Sequence, residues 1–372
     1  MFAETEDQEL FERATVRFLE THFPMARVRA LAAEPSTFEA DRWREAAQLG
    51  WTTLLVREAA GGGSISGNGL ADLLVVASGF GRHAAPGPLL GTNAVAAALG
   101  RWGSPAHQAG PLAELVAGEA VGAWARGQSV AAEVSGETVV LRGRVRAVEE
   151  TTDATYLLVA ADAPDGRSHY LVPLTAAGVQ RAPQRSLDLT RRFADVKLED
   201  VTVSADARVG PPGAADVQDA SLLDVVAVLA AGEIVGAMDR AFELTMEWVT
   251  NRYSFGRPLS SYQEIKHRMA DLRTQLEAAE AVAGRAAVAV GTDAPDGREW
   301  ASAAIAYAAR VGPELVQDCI QLHGGIGVTA DHDLHVFLRR AALDANLYGT
   351  EADFAQRLGR LVAAGARSGK GE

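Results

Sequence analysis

Asn251-Arg-Tyr-Ser-Phe-Gly-Arg-Pro-Leu-Ser-Ser-Tyr-Gln263 is the stretch on which the reading of this chain turns. A helical pattern covers residues 217–250 before it, and another covers residues 262–290 after it. Gly256 and Pro258 interrupt the pattern, and Ser260 or Ser261 is placed to cap the second helix. Arg252 is therefore expected at a helix end, where a fixed cation can face a ligand. A second interruption, Gln321-Leu-His-Gly-Gly-Ile-Gly327, ends a helical pattern over residues 300–322. Its paired glycines let the backbone come close to a ligand, because no Cβ intervenes.

Outward from these two breaks the chain divides into three parts. Residues 1–112 read as a helical domain. Helical periods cover 9–19, 38–49, 70–80 and 87–99, with Pro24 closing the first and a turn at Gly61-Gly-Gly63 after residues 51–56. Residues 113–215 change to a period of two, with strands expected at 138–146, 155–160, 168–172 and 193–203. Residues 216–372 return to helix, with further segments at 334–345 and 352–364 and a polar, frayed tail at 365–372. The expected fold is α+β and multidomain: an N-terminal helical domain, a middle β-barrel-like or sandwich-like domain, and a C-terminal antiparallel helix bundle.

Composition narrows the function classes. The chain is 48% apolar and has no uninterrupted apolar run of eighteen residues, so a globular protein without a membrane span is expected. The first residues are acidic rather than a basic leader, and no secretory signal is read. Cys319 is the only cysteine, which excludes an intrachain disulfide and a cysteine-rich metal site and fits a cytoplasmic location. A formal net charge of −13 argues against nonspecific nucleic-acid binding, though not against an anionic ligand held by local arginines.

Residues 252–263 fit the pattern R-x-x-F-G-x-P-x-x-x-x-Q, and residues 321–327 fit Q-x-x-G-G-x-G. In these two motifs, in this order, the chain resembles the acyl-CoA dehydrogenase family of flavoenzymes. The N-terminal "Gly-Trp … Gly-Gly … Ala-Ala-Pro-Gly-Pro-Leu" follows the same resemblance. In that family two chains share each flavin, and the C-terminal bundle of one holds the ADP half of an FAD bound mainly by its neighbour. The resemblance carries this role to Arg252, Ser254, Phe255, Gln263, Gln321, Gly324 and Gly325. Arginine suits a diphosphate through its planar fork, and Ser254 can donate one hydrogen bond. Leu347-Tyr-Gly-Thr350 resembles the end of the family's Y-E-G-T motif, which implies a cofactor contact for Thr350, and Arg339 falls on the family's intervening arginine.

The pattern fails where chemistry is expected. Tyr348 stands at the position of the family's catalytic glutamate. The alternative base position on the long helix holds Val226, with Ala227 beside it. A tyrosine of pKa about 10 would need roughly 4 kcal/mol to ionise at pH 7, so Tyr348 is a poor general base unless its environment shifts it. On the ring side, residues 123–135 lack the family's T-E-P-x-x-G-S-D, and the W-I-T strand is replaced by Ala147 and Glu149, with Glu149-Glu150 expected as a solvated acidic turn. The resemblance therefore implies a chain like the glutamate-lacking β-type subunits of heterotetrameric bacterial members. Such a chain completes an FAD site, for α,β-dehydrogenation of an acyl-CoA thioester, with a catalytic partner. The alternatives are a self-sufficient homodimer or homotetramer using Tyr348, Glu149 or Asp224, or a cofactor-free scaffold with a structural or non-redox role.

Overall fold

The computed structural model describes residues 2–3, 5–150 and 153–368. Helices α1 (Glu6–His22), α2 (Met25–Ala33), α3 (Ala40–Gln48), α4 (Gly69–His83) and α5 (Leu89–Trp102) are followed by two short ones, α6 (Pro105–His107) and α7 (Ala113–Val116). The strands are β1 (Gly122–Ser135), β2 (Thr138–Glu149), β3 (Tyr156–Ala163), β4 (Gly166–Pro173), β5 (Val179–Gln184), β6 (Phe193–Ser204) and β7 (Arg208–Val209). Then come α8 (Ala215–Asn251), a ribbon of β8 (Tyr253–Ser254) and β9 (Arg257–Pro258), and helices α9 (Gln263–Gly291), α10 (Gly297–His323), α11 (Leu334–Leu347) and α12 (Glu351–Ser368). Helical N-terminal part, central sheet and C-terminal bundle are all present.

The chain forms two compact units. One contains Val28–Gly69 and Pro86–Val226, and its centre is a seven-stranded sheet in the order β5-β6-β2-β1-β3-β4-β7. The β1–β3 pair is parallel and the other pairings are antiparallel. The expected barrel is corrected here: β5 and β7 stand at opposite ends of the order, so the sheet is open and mixed. Side chains on β2 and β6 alternate between buried and exposed, as expected when one face covers a core. Strands β1 and β5 escape a reading by periodicity. β1 is rich in small residues and shifts register between Ala125 and Ser129, and β5 buries almost none of its side chains.

The other unit contains Met1–Arg27, Leu70–Ala85 and Ala227–Glu372. Within it α10 packs against α9, α11 and α12. Helices α4 and α8 touch backbone to backbone: a Cβ built on Gly236 would lie 1.9 Å from the Ser78 carbonyl oxygen, and one on Gly81 would lie 1.8 Å from that of Glu233. No side chain fits at either position. Helix α8 is long and apolar enough by composition to cross a membrane, yet 89% of its most apolar window is buried inside the fold. Two further expectations change. The N-cap of α9 is Tyr262 without a side-chain cap, while the Ser261 hydroxyl donates to the Pro258 carbonyl at 2.7 Å. The frayed tail is helical as far as Ser368, and residues 369–372 lie outside the described residues.

A buried guanidinium joins three of these helices. Arg340, on α11, is fully buried. It donates to the Glu233 carboxylate at 3.3 Å, to the Phe80 carbonyl at 3.4 Å and to the Ala85 carbonyl at 3.0 Å. Phe80 belongs to the last turn of α4, and Ala85 lies just beyond its end. There Ala84 adopts φ 47°, and the amides of Ala85 and Ala84 bond to the carbonyls of Phe80 and Gly81 at 2.9 and 3.1 Å, a Schellman ending. The cation thus meets a helix terminus that carries partial negative charge. Removing it leaves the buried Glu233 carboxylate without this guanidinium, so Arg340→Met is expected to cost about 3–5 kcal/mol in denaturant unfolding. The double variant Arg340→Met/Glu233→Met should recover most of that loss. Additive losses in the double variant would show that the two charges do not act as a pair.

Candidate functional site

The hairpin that follows α8 has a physical cause in its turn. Phe255 and Gly256 take φ 51° and 78°, the left-handed pair of a two-residue type I′ turn whose twist matches that of its strands. Ser254 pairs with Arg257 and Tyr253 with Pro258 across the ribbon. The ladder continues one step inward, where the Leu259 amide donates to the Arg252 carbonyl at 2.8 Å. The turn lifts Phe255 to 98% exposure, which no internal packing demand explains. Arg252 begins where α8 ends, as the sequence led one to expect, with its own amide still bonded to the Trp248 carbonyl at 2.8 Å.

Arg252 is exposed, and among the described residues its guanidinium takes part in no ion pair or side-chain hydrogen bond. It lies 5.6 Å from the centre of the Trp248 ring, a cation–π contact within one helical turn. Trp248 is stacked on His323, with centroids 5.2 Å apart and planes 18° apart. His323 also meets His332 edge-on at 4.5 Å. The imidazole is buried, and its Nδ1–H donates to the Cys319 carbonyl at 2.8 Å. Burial holds its pKa below the ordinary histidine value, against the hydrogen bond to Cys319, with His332 lowering it further. A neutral ring at neutral pH is what a stack beside a guanidinium requires, since an imidazolium would repel it.

This stack brings the end of α10 to Arg252. Gly324 ends α10 at φ 65°, and Gln321, Gly324 and Gly325 are exposed. A Cβ on Gly324 or on Gly325 would find no heavy atom within 4 Å, so these glycines are not forced by internal packing. Ser254 is half-buried and its carbonyl accepts from the Tyr262 hydroxyl at 2.8 Å. Gln263 opens α9, exposed, with its amide 3.1 Å from the His267 ring. Thr350 has a local role that the sequence reading did not assign. Its hydroxyl and amide both donate to Asp353, at 2.7 and 2.9 Å, and the Asp353 amide donates back at 3.2 Å, a reciprocal cap on α12. Arg339 is half-exposed on α11. Tyr348 is buried at the C-cap of α11, and Val226 and Ala227 are buried in α8.

The end of β2 differs most from expectation. Glu149-Glu150 is no solvated turn: the two residues are 7% and 2% exposed. The Arg191 guanidinium, fully buried, donates to the Glu149 carboxylate. Ala147 and Glu150 both adopt left-handed φ, 48° and 56°, which costs a residue with a Cβ. The Glu150 amide donates to the Arg192 carbonyl at 2.8 Å, while among the described residues both oxygens of its carboxyl lack a hydrogen-bond partner. Burial, aided by the neighbouring Glu149 charge, pushes its pKa up to about 8, so it is largely protonated at neutral pH. Asp224, the other carboxylate considered, is buried in the first turns of α8.

Two segments of the chain match known family models: the acyl-CoA dehydrogenase N-terminal domain over residues 5–119 and the C-terminal domain over residues 216–360. The acyl-CoA dehydrogenase IpdE2 of Mycobacterium tuberculosis is 33% identical over 355 residues, 95% of this chain and 96% of that protein. The chain belongs to the acyl-CoA dehydrogenase family. Among solved structures, the Tcur3481-Tcur3483 steroid ACAD G363A variant superposes with a TM-score of 0.86 at 28% identity, covering 97% of this chain and 99% of that one. A glutaryl-CoA dehydrogenase from Mycobacterium smegmatis, solved in complex with FADH2, shares the fold with a TM-score of 0.86 at 18% identity, covering 97% and 95%. The family consists of flavoprotein oxidoreductases that act on acyl-CoA.

The side chains present fit the two ends of a flavin dinucleotide unequally. An uncommitted arginine beside two open glycines is chemistry suited to a diphosphate. The end of β2 is not suited to an isoalloxazine. It offers no ring to stack on at Ala147, and its polar groups are a buried ion pair and a buried acid. Trp248 could have been found in the sequence, since it lies four residues before Arg252 on one helix. Arg191 could not, since it reaches Glu149 from 42 residues away. The Glu150 acid gives a titration test. Its pKa is higher in the folded chain than the ordinary glutamate value of 4.5, so the folded chain keeps a proton that the unfolded chain releases. Stability linked to this group is full below pH 4.5 and is lost as pH rises toward 8. Relative to Glu150→Gln, the wild-type protein should therefore lose stability across that window in chemical unfolding, with Glu149, Asp153 and Arg191 the charged groups facing the carboxyl. Parallel stability–pH curves for the two proteins would refute the assignment.

Proposed function

We propose that this chain is the subunit that completes an FAD site for α,β-dehydrogenation of an acyl-CoA thioester, together with a catalytic partner chain. One observation carries the reading. The segment where the family's ring-stacking tryptophan and hydroxyl are expected, Ala147 to Glu149, ends in a buried Glu149–Arg191 pair, while Arg252 stands uncommitted at the other site. The two-part name of the Tcur3481-Tcur3483 steroid ACAD, matched over 97% of this chain, supports a two-chain arrangement. Tyr348 adds to the argument: buried at a helix end, it is a phenol where the reaction needs a group already ionised at neutral pH.

The roles of the residues follow from their chemistry. A bound flavin would supply the hydride acceptor for α,β-dehydrogenation, and a base would supply the acceptor for the α-proton. Arg252 donates hydrogen bonds to diphosphate oxygens and offsets their charge. Gly324 and Gly325 let the backbone lie against the nucleotide, and Gln321, Gln263 and Ser254 supply polar contacts around it. Phe255, held out by its turn, would offer an apolar contact there. The base and the ring contacts belong to the partner.

Purification of this chain alone tests the reading. Little bound flavin and no oxidation of a panel of acyl-CoA thioesters, measured with an artificial electron acceptor, are expected. Stoichiometric flavin together with turnover by the chain alone would overturn it. Loss of that turnover in Tyr348→Phe would then move the base to this chain.

A further inference from the structure

The hairpin carries a second arginine in the same condition as the first. The Arg257 guanidinium lies 3.8 Å from the centre of the Tyr262 ring, and among the described residues it enters no ion pair or side-chain hydrogen bond. Tyr262 is itself fixed, because its hydroxyl donates to the Ser254 carbonyl at 2.8 Å. Arg257 pairs directly with Ser254 across the ribbon, and Arg252 lies two residues before Ser254. Side chains two apart on a strand, and those of a directly paired residue, point to the same face. Ser254 and Arg257 therefore share one face of the hairpin, and Arg252 stands at its base, where its carbonyl accepts from the Leu259 amide. Several other arginines of the same unit are committed: Arg82 to Asp239 and Glu243, Arg240 to Glu243, Arg268 to Asp318, and Arg340 to Glu233. In a chain with 48 acidic residues against 35 basic ones, two guanidinium groups at one short hairpin, each over an aromatic ring and without a carboxylate, are a departure that needs a cause.

We infer that Arg257 is a second cation of the diphosphate site, and that Trp248 and Tyr262 are positioning residues that hold the two guanidinium groups ready on aromatic faces. The inference rests on the reading of Arg252 as a diphosphate ligand and adds three residues to it. A flexible arginine loses side-chain entropy when it grips an anion. Stacking on a ring restricts the side chain beforehand while leaving its N–H donors free for a phosphate oxygen. Trp248 is backed in turn by His323, itself fixed by the Cys319 carbonyl, so the platform under Arg252 extends from α8 into the end of α10. The platform under Arg257 is tied to the hairpin itself through Ser254.

Calorimetric titration of the full chain with ADP, inorganic pyrophosphate and adenosine tests this without any turnover. Saturable binding of ADP and pyrophosphate, but not of adenosine at the same concentrations, is expected. Arg257→Gln and Arg252→Gln should each weaken ADP binding about tenfold or more and flatten its dependence on salt. Tyr262→Leu and Trp248→Leu should weaken binding, whereas Tyr262→Phe and Trp248→Phe, which keep a ring, should retain most of it. Arg310, which also lies over a ring, that of Tyr307 at 5.8 Å, sits about 20 Å along α10 from His323, and Arg310→Gln should bind ADP as the wild type does. Loss of affinity in Arg252→Gln with none in Arg257→Gln would overturn the second cation and leave the first reading intact. Equal loss in the leucine and phenylalanine variants would overturn the positioning role. Failure of the wild-type chain to bind ADP or pyrophosphate would overturn both readings.

Discussion

Three helices of the bundle converge on one buried charge. Arg340 reaches from α11 to a carboxylate of α8 and to the last carbonyls of α4, and none of its polar atoms can turn to water. A buried guanidinium is tolerated only where its donors are satisfied, so the geometry around it admits little variation. That demand fits the backbone-to-backbone contact of α4 with α8 at Gly81 and Gly236. It also fits the left-handed residue at Ala84 that turns the α4 carbonyls toward the cation. The register of α8 is thereby set, and with it the place where α8 ends and Arg252 emerges.

From that fixed end the two candidate regions follow opposite electrostatic logics. At the hairpin, charge is left uncommitted: Arg252 and Arg257 rest on aromatic faces, which attract a cation without neutralising it. At the end of β2, charge is spent internally. Glu149 and Arg191 neutralise one another in the core, and Glu150 keeps its proton because burial disfavours its charged form and the Glu149 charge beside it adds to that, against the pull of Arg191. A neutralised, buried cluster has little to offer a ligand, whereas an exposed unpaired arginine has its whole fork available. This contrast, rather than any single residue, separates a region suited to hold a nucleotide's phosphates from one closed to the flavin ring.

The long elements were legible because their signals were strong. Helices α8 to α12 repeat apolar residues at helical spacing over many turns, and β2, β3, β4 and β6 show alternating or continuous apolar runs. Helix α2 was not legible, since nine residues bury only Val28 and Leu31 and give too short a period to detect. β1 and β5 failed for want of contrast between their two faces. At the candidate site, Arg252 at a helix end was readable from the glycine and proline that follow it. Thr350 was readable only as a motif residue, and its reciprocal bonds with Asp353 give it a capping role that the motif did not suggest.

What the sequence determined by itself is the kind and order of the elements, the family they belong to, and the loss of a carboxylate at Tyr348 and of an aromatic ring at Ala147. These are properties of local period and of residue identity, and they need no partner from elsewhere in the chain. Only the tertiary structure decided the state of the charges. Whether Glu149 faced water or a guanidinium depended on Arg191, 42 residues away, and whether Arg252 was paired depended on what surrounds the end of α8. Burial and pairing are set by contacts between distant segments, and it is burial and pairing that decide whether a carboxyl holds its proton and whether an arginine is free to bind an anion.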